Sequence, residues 1–192
     1  MNHDYSELKA LLEAILMASD VPLSLKEILS LLDSEEYAES DIFRTLFELE
    51  TQYRDACGGI ELVEVASGWR FQVPERFSAW VGRLFEAKQQ RYSTAFFETL
   101  ALIAYQQPVT RGDIEAVRGV AVSSNIIKTL EDREWIKVVG RKEVPGRPML
   151  YATTEQFLDD LNLKSLKELP PLPELTTLFK DTVTDEQASL VI

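Results

Sequence analysis

Apolar residues recur at Leu8, Leu11, Leu12, Ile15 and Leu16, the i, i+3, i+4, i+7 spacing of one helix face. Asp20-Val21-Pro22 breaks that pattern. Ser24 then stands three residues before Glu27, the spacing of a capping box, ahead of a second helix with Ile28 and Leu32 inside. A polar turn through Ser34, Glu35 and Glu36 leads to a third helix over about residues 41–54, with Ile42, Leu46, Leu49 and Tyr53 as its core stripe. Gly58-Gly59 ends it, with Cys57 just ahead as a small residue at the helix end. Ile60, Leu62, Val63 and Val65 read as a strand, Ser67-Gly68 as a hairpin turn, and Trp69, Phe71 and Val73 as the alternating return strand. Three helices and a hairpin make a winged helix, a helix-turn-helix with a β-wing. Pro74 suits the first turn of a following helix carrying Phe77, Trp80, Val81, Leu84 and Phe85.

After the polar stretch Lys88-Gln89-Gln90-Arg91 the order repeats. Ser93 or Thr94 caps a helix with Phe96, Phe97, Leu100, Ile103 and Ala104, which Pro108 ends. Thr110 starts a short helix holding Ile114 and Val117, and Gly119 closes it. A third helix over about residues 123–133 carries Ile126, Ile127 and Leu130. Trp135, Ile136, Val138 and Val139 form a strand, Pro145-Gly146-Arg147-Pro148 the wing tip, and Met149, Leu150 and Tyr151 the return. A last helix spans about residues 154–161. Leu169-Pro170-Pro171-Leu172-Pro173 favours extended, polyproline-like backbone, as a linker or a docking strip. The stretch from Thr176 lacks periodicity and reads as mobile. The expected fold is mainly α with small β-wings (α+β): two tandem winged-helix domains over residues 1–87 and 88–162, then a Leu/Pro strip and flexible, Pro-rich tail over residues 163–192.

Charge refines this picture. The formal net charge is -12 over 192 residues, distributed as -10 over residues 1–87, +3 over 88–150 and -5 over 151–192. Phosphate binding depends on Lys and Arg displacing counterions, so only the middle block tolerates an anionic partner. In the first domain, Glu39, Asp41, Glu48 and Glu50 lie where a winged helix enters the major groove. In the second, Ser123, Ser124, Asn125 and Lys128 would touch DNA weakly. Duplex DNA binding is therefore expected to be weak or absent, no tighter than the non-specific range of about 10⁻⁴ to 10⁻⁶ M.

Chemistry for catalysis is missing. His3 is the only histidine and Cys57 the only cysteine, which leaves no imidazole relay, no clustered zinc ligands and no intrachain disulfide. Neither Gly58-Gly59 nor Arg118-Gly119 has the spacing or the following lysine of a phosphate-cradling loop. A non-enzyme without cofactor or metal is expected. No apolar run approaches a membrane span and the start lacks a basic signal-peptide region, so a cytoplasmic location is expected.

Residues 98–174 carry three blocks in order, IAYQQPVTR, PGRPMLYATT and LKSLKELPPLPE. In order and spacing they resemble the ScpB family, kite-type subunits of the bacterial SMC–kleisin condensin complex. The chain departs from the family pattern at Ala121-Val122-Ser123-Ser124 and at Leu161-Asn162-Leu163. The resemblance implies a homodimer formed through the first winged helix that grips the kleisin ScpA. ScpA in turn bridges the SMC ATPase, so the chain would be nucleoid-associated and act in chromosome condensation, chromosome partition and cell division. The alternative from the fold alone is a winged-helix DNA-binding transcriptional regulator.

Candidate kleisin-binding residues are Tyr105, Arg111, Arg118, Arg147, Tyr151, Leu169 and Leu172. Arg147 is surplus to a rigid turn, while Arg111 and Arg118 flank the short helix and have Asp113, Glu115 or a helix-end carbonyl as local alternatives. Phe43 and Phe47 lie about 100° round the third helix from the core stripe. They widen its apolar face and mark a candidate dimer interface, unless the first helix covers them.

Overall fold

A computed structural model describes residues 5–32, 37–84 and 92–171. The expected turn at Ser34–Glu36, Phe85, the stretch 88–91, Leu172 and the tail lie outside the described residues. The chain forms two compact units, one up to residue 87 and one from residue 88.

The first unit comprises α1 (Tyr5–Ala18), α2 (Leu25–Leu31), α3 (Glu39–Asp55) and a hairpin of β1 (Glu61–Val65) and β2 (Gly68–Gln72). The strands pair antiparallel, with Leu62 opposite Phe71 and Val65 opposite Gly68. Leu12, Ile28, Ile42, Leu46, Leu62 and Trp69 meet in its core. The capping box is complete: Glu27 N–H donates to Ser24 Oγ at 3.2 Å, and Ser24 N–H donates to Glu27 Oε2 at 2.8 Å. Those hydrogen bonds hold the Glu27 carboxyl below its ordinary range. Leu23 and Trp69 exchange backbone hydrogen bonds at 2.9 Å each, adding a third segment to the hairpin. Cys57, exposed and at φ 48°, takes the left-handed position after α3.

The segment after Pro74 differs from expectation. It forms a 3-10 turn (Glu75–Phe77) and a single turn of helix, α4 (Ser78–Val81), and it leaves Trp80 63% exposed and Leu84 exposed. Gly82, a poor helix former, follows directly. The apolar spacing was helical, yet spacing alone does not supply a surface to cover it.

The second unit repeats the plan with α5 (Thr94–Gln106), α6 (Arg111–Arg118), α7 (Ser124–Asp132), β3 (Ile136–Arg141), β4 (Met149–Thr153) and a closing α8 (Glu155–Asp160). Ser93 caps α5, accepting from Phe96 N–H at 3.3 Å. Thr110 and Asp113 form a second capping box on α6, and Gly119 at φ 72° ends that helix. Phe96, Ile103, Ile114, Leu130, Trp135 and Phe157 form the core. The Trp135 indole N–H donates to Asp160 Oδ2 at 2.6 Å. Val109 and Tyr151 exchange backbone hydrogen bonds at 3.1 and 2.8 Å. Leu23 and Val109 each immediately precede the N-cap of the second helix of their unit. The repeat is thus built into the backbone although the letters differ.

Five side chains depart from the expected apolar pattern, Val73 and Met149 among them, both exposed. Val117 is exposed, because α6 buries only Ile114. Val138 and Val139 are exposed, and the β3–β4 register slips by one residue between Val138 and Gly140, a bulge. Residues 163–171 are not a free linker in their described part. A 3-10 turn (Leu166–Glu168) leads to Leu169, which packs on the second core, and the Tyr105 hydroxyl donates to the Pro170 carbonyl.

Candidate partner-binding surfaces

In the second unit, α6 carries Arg111 and Arg118 at its two ends. Arg111 Nη2 donates to the Val122 carbonyl at 2.6 Å and Nη1 to Ser124 Oγ at 3.3 Å, tying the start of α6 to the turn before α7. Arg118 turns inward. Its Nε and Nη2 donate to Glu98 Oε2 on α5 at 3.1 and 3.0 Å, Nη1 lies 3.4 Å from Thr99 Oγ1, and the side chain is 9% exposed. Both arginines pair, but with Val122, Ser124, Glu98 and Thr99 rather than Asp113 or Glu115.

Asp113 has two tasks. Its Oδ2 accepts from the Thr110 N–H at 2.9 Å, and its Oδ1 accepts from Lys142 Nζ of the wing at 2.9 Å. The Thr110 N–H and then the Lys142 ammonium hold its carboxyl down to about 2. The outer end of β3 is thereby fastened to the start of α6.

At the wing tip Arg147 is exposed at φ 40°, with its backbone N–H donating to the Val144 carbonyl at 2.9 Å. Tyr151 is buried, and its hydroxyl faces Met149 Sδ at 3.7 Å. Burial pushes its phenol up; Glu131 reinforces this and Arg111 opposes it. Tyr105 and Leu169 are half-buried and engaged with each other's segments, as described above. Of the seven candidates, Arg147 is the one with a side chain both exposed and free of a partner among the described residues.

In the first unit, Phe43 and Phe47 are 50% and 58% exposed on α3, so α1 does not cover them. Asp41 pairs with Arg44 and Glu50 with Arg54 along the same helix. A phenylalanine pair flanked by acids is poorly suited to the phosphate backbone. In α7, Ser123 Oγ is committed to capping and accepts from the Asn125 N–H at 3.2 Å.

Three positioning residues escaped the reading of the chain: Glu98, Lys142 and Gln107. Gln107 Oε1 accepts from Thr153 N–H at 2.7 Å and from Thr153 Oγ1 at 3.0 Å, joining the end of α5 to β4. Each meets a partner between 20 and 46 residues away, beyond the reach of local spacing. Among the described residues no group of three or more His, Cys, Asp or Glu is placed to hold a metal, and no helix is long and apolar enough to cross a membrane.

Comparison with known proteins fits this architecture to a family. The family model "Segregation and condensation complex subunit ScpB" matches residues 10–172. A segregation and condensation protein B homolog of Coxiella burnetii is 52% identical over 96% of this chain and 88% of its own length. Segregation and condensation protein B of Syntrophotalea carbinolica is 42% identical over 93% and 89%. A crystal structure described as a dimer of the ScpB N-terminal domain complexed with ScpA peptide is 28% identical, covering 41% of this chain and 95% of its own at a TM-score of 0.37. The chain, with its two winged-helix units and its match to the family model over residues 10–172, belongs to the ScpB family of segregation and condensation proteins.

Proposed function

We propose that this chain is a non-catalytic adaptor of an SMC–kleisin complex. As a homodimer it binds the kleisin ScpA, is linked through ScpA to the SMC ATPase, and takes part in chromosome condensation and segregation at the nucleoid in the cytoplasm. Family membership supports the reading. The observation that carries it is the exposed Phe43–Phe47 pair on α3, the helix with which a DNA-reading winged helix enters the major groove. Here that helix offers apolar rings and acids.

The same helix suits a two-fold contact, in which one patch meets itself. The first unit is accordingly the dimerisation unit, and the second unit with the strip from Leu169 faces the kleisin, Arg147 being its exposed contact.

The test is affinity capture of the tagged chain from its native lysate with identification of what binds. Recovery of ScpA and SMC in stoichiometric amounts is the expected result. Their absence, together with sequence-selective nanomolar binding to duplex DNA, would overturn the adaptor in favour of a transcriptional regulator.

A further inference from the structure

The Leu/Pro strip is held differently at its two ends. Its root is firm: α8 sinks Phe157 into the core of the second unit, and Asp160 accepts from the Trp135 indole N–H. At Asn162, φ 54°, the chain turns back. The Asn162 N–H donates to the Asp159 carbonyl at 3.1 Å and the Leu163 N–H to the Leu158 carbonyl at 2.8 Å. The chain then runs to the last turn of α5, where the Tyr105 hydroxyl donates to the Pro170 carbonyl while Leu169 packs on the core.

Pro170 and Pro171 have no N–H to donate. Their backbone can be hydrogen-bonded to a seat only through carbonyls, and a side-chain donor such as the Tyr105 hydroxyl is what answers one. The hold is narrow. Leu166, Lys167 and Glu168 are exposed, and Leu169 and Pro170 are half-buried. Within the strip the Glu168 and Leu169 N–H groups donate to the Ser165 and Leu166 carbonyls at 3.1 and 3.3 Å, and the Lys164 N–H donates to the Glu168 carboxylate at 2.6 Å. These bonds fold the strip upon itself and do not tie it to the unit. A 3-10 turn of three residues has little stability alone, so this one persists while Leu169 is seated. Segments with few buried apolar contacts open before the core they lie on.

We propose that residues 163–170 are a clasp, rooted at α8 and fastened on α5 by Tyr105 and Leu169, which opens as a unit while the helices and hairpin beneath it stay folded. Closed, it withholds Leu169 and Pro170 and covers the side of Tyr105 that seats them. Open, it frees a Leu-Pro segment as extended, polyproline-like backbone and uncovers its seat. The second unit thus has two states of its own, set by one hydroxyl and one leucine, and they do not depend on what the chain binds.

Native-state hydrogen exchange of the full chain without any partner tests it, read at the Glu168 amide against the Gln107 amide, which donates to Ile103 at the end of α5. In low urea the Glu168 amide is expected to exchange faster than Gln107, and at a rate that urea does not change, the mark of a local opening; Gln107 is expected to accelerate with urea. Tyr105→Phe keeps the ring and removes the donor, and is expected to speed exchange at Glu168 about fivefold. Leu169→Ala is expected to speed it about tenfold or more. Trypsin cutting after Lys167, which is exposed on the strip, should accelerate by the same factors. A Glu168 amide that follows the urea dependence of Gln107 would make the strip an inseparable part of the unit and overturn the clasp. A Glu168 amide exchanging at the rate of an unprotected chain in the wild type would mean that the clasp is not closed in solution, and would overturn it as well. Exchange and cutting that neither variant changes would overturn the fastening at Tyr105 and Leu169.

Discussion

Gly68 passes Leu23 so closely that a β-carbon at position 68 would lie 2.2 Å from the Leu23 carbonyl carbon and oxygen. The approach exists because Trp69 and Leu23 exchange backbone hydrogen bonds, and Gly68 enters that contact at φ 147°. The obstacle is backbone, which cannot swing aside. Gly68→Ala is expected to cost on the order of 3 kcal/mol or more, and to lower the melting point of the first unit by about 10 °C or more. Gly59→Ala, where nothing lies within 4 Å of the added carbon, should leave the melting curve nearly unmoved, as measured by calorimetry.

Arg118 and Arg147 look alike as candidates but differ as soon as their surroundings are known. Removing Arg118 takes donors from Glu98 and Thr99 at a nearly enclosed site. Arg118→Ala should destabilise the second unit by about 1–3 kcal/mol. Arg147→Ala at an exposed tip should stay within about 0.5 kcal/mol and show its effect in ScpA affinity instead. Denaturant midpoints for the two variants give the comparison; equal midpoints would contradict the placement of Arg118.

Asp113 makes the second unit sensitive to acid. Its carboxyl sits at about 2 against an ordinary 3.8, so its stabilising effect is fully present above about pH 4 and is lost as pH falls through about 2. The Thr110 amide resonance should follow that low midpoint. Asp113→Asn should abolish the transition, weaken the α6 cap and free Lys142. An amide midpoint near 3.8 would mean that the Thr110 and Lys142 contacts do not hold in solution.

Phe43→Glu with Phe47→Glu tests the dimer. The expected product is a folded monomer by light scattering, with the far-ultraviolet spectrum of the wild type, because neither ring belongs to the core of the first unit. A dimer that survives both changes would place the contact on another surface.

Much of the fold could be read from the chain, and the reasons why some of it could not are physical. Ser24 with Glu27, and Ile42 with Leu46 and Leu49, are local patterns whose meaning does not depend on the rest of the molecule. The run from Phe77 to Leu84 is just as periodic, yet Trp80 and Leu84 stay exposed, because amphipathic spacing describes a face and not what lies against it. Val138-Val139 next to Gly140 was the visible trace of a bulge, two β-branched residues in a row where alternation should hold. Arg118 illustrates the limit for the site. Whether it meets Glu115 three residues before it or Glu98 twenty residues before it is decided by how α5 and α6 pack, which spacing along the chain does not encode.

The three tryptophans occupy three different settings. Trp69 is enclosed in the first unit's core, Trp135 is enclosed in the second and bonded to Asp160, and Trp80 stands in solvent. The protein therefore carries a built-in set of optical reporters. With Trp80 and Trp135 changed to Phe, the remaining emission follows the first unit alone; with Trp69 and Trp80 changed, it follows the second. Keeping only Trp80 leaves a red-shifted, readily quenched signal that responds to whatever covers the segment after Pro74. Unfolding of the two units can thus be timed separately in one intact chain, without labels and without cutting it between them.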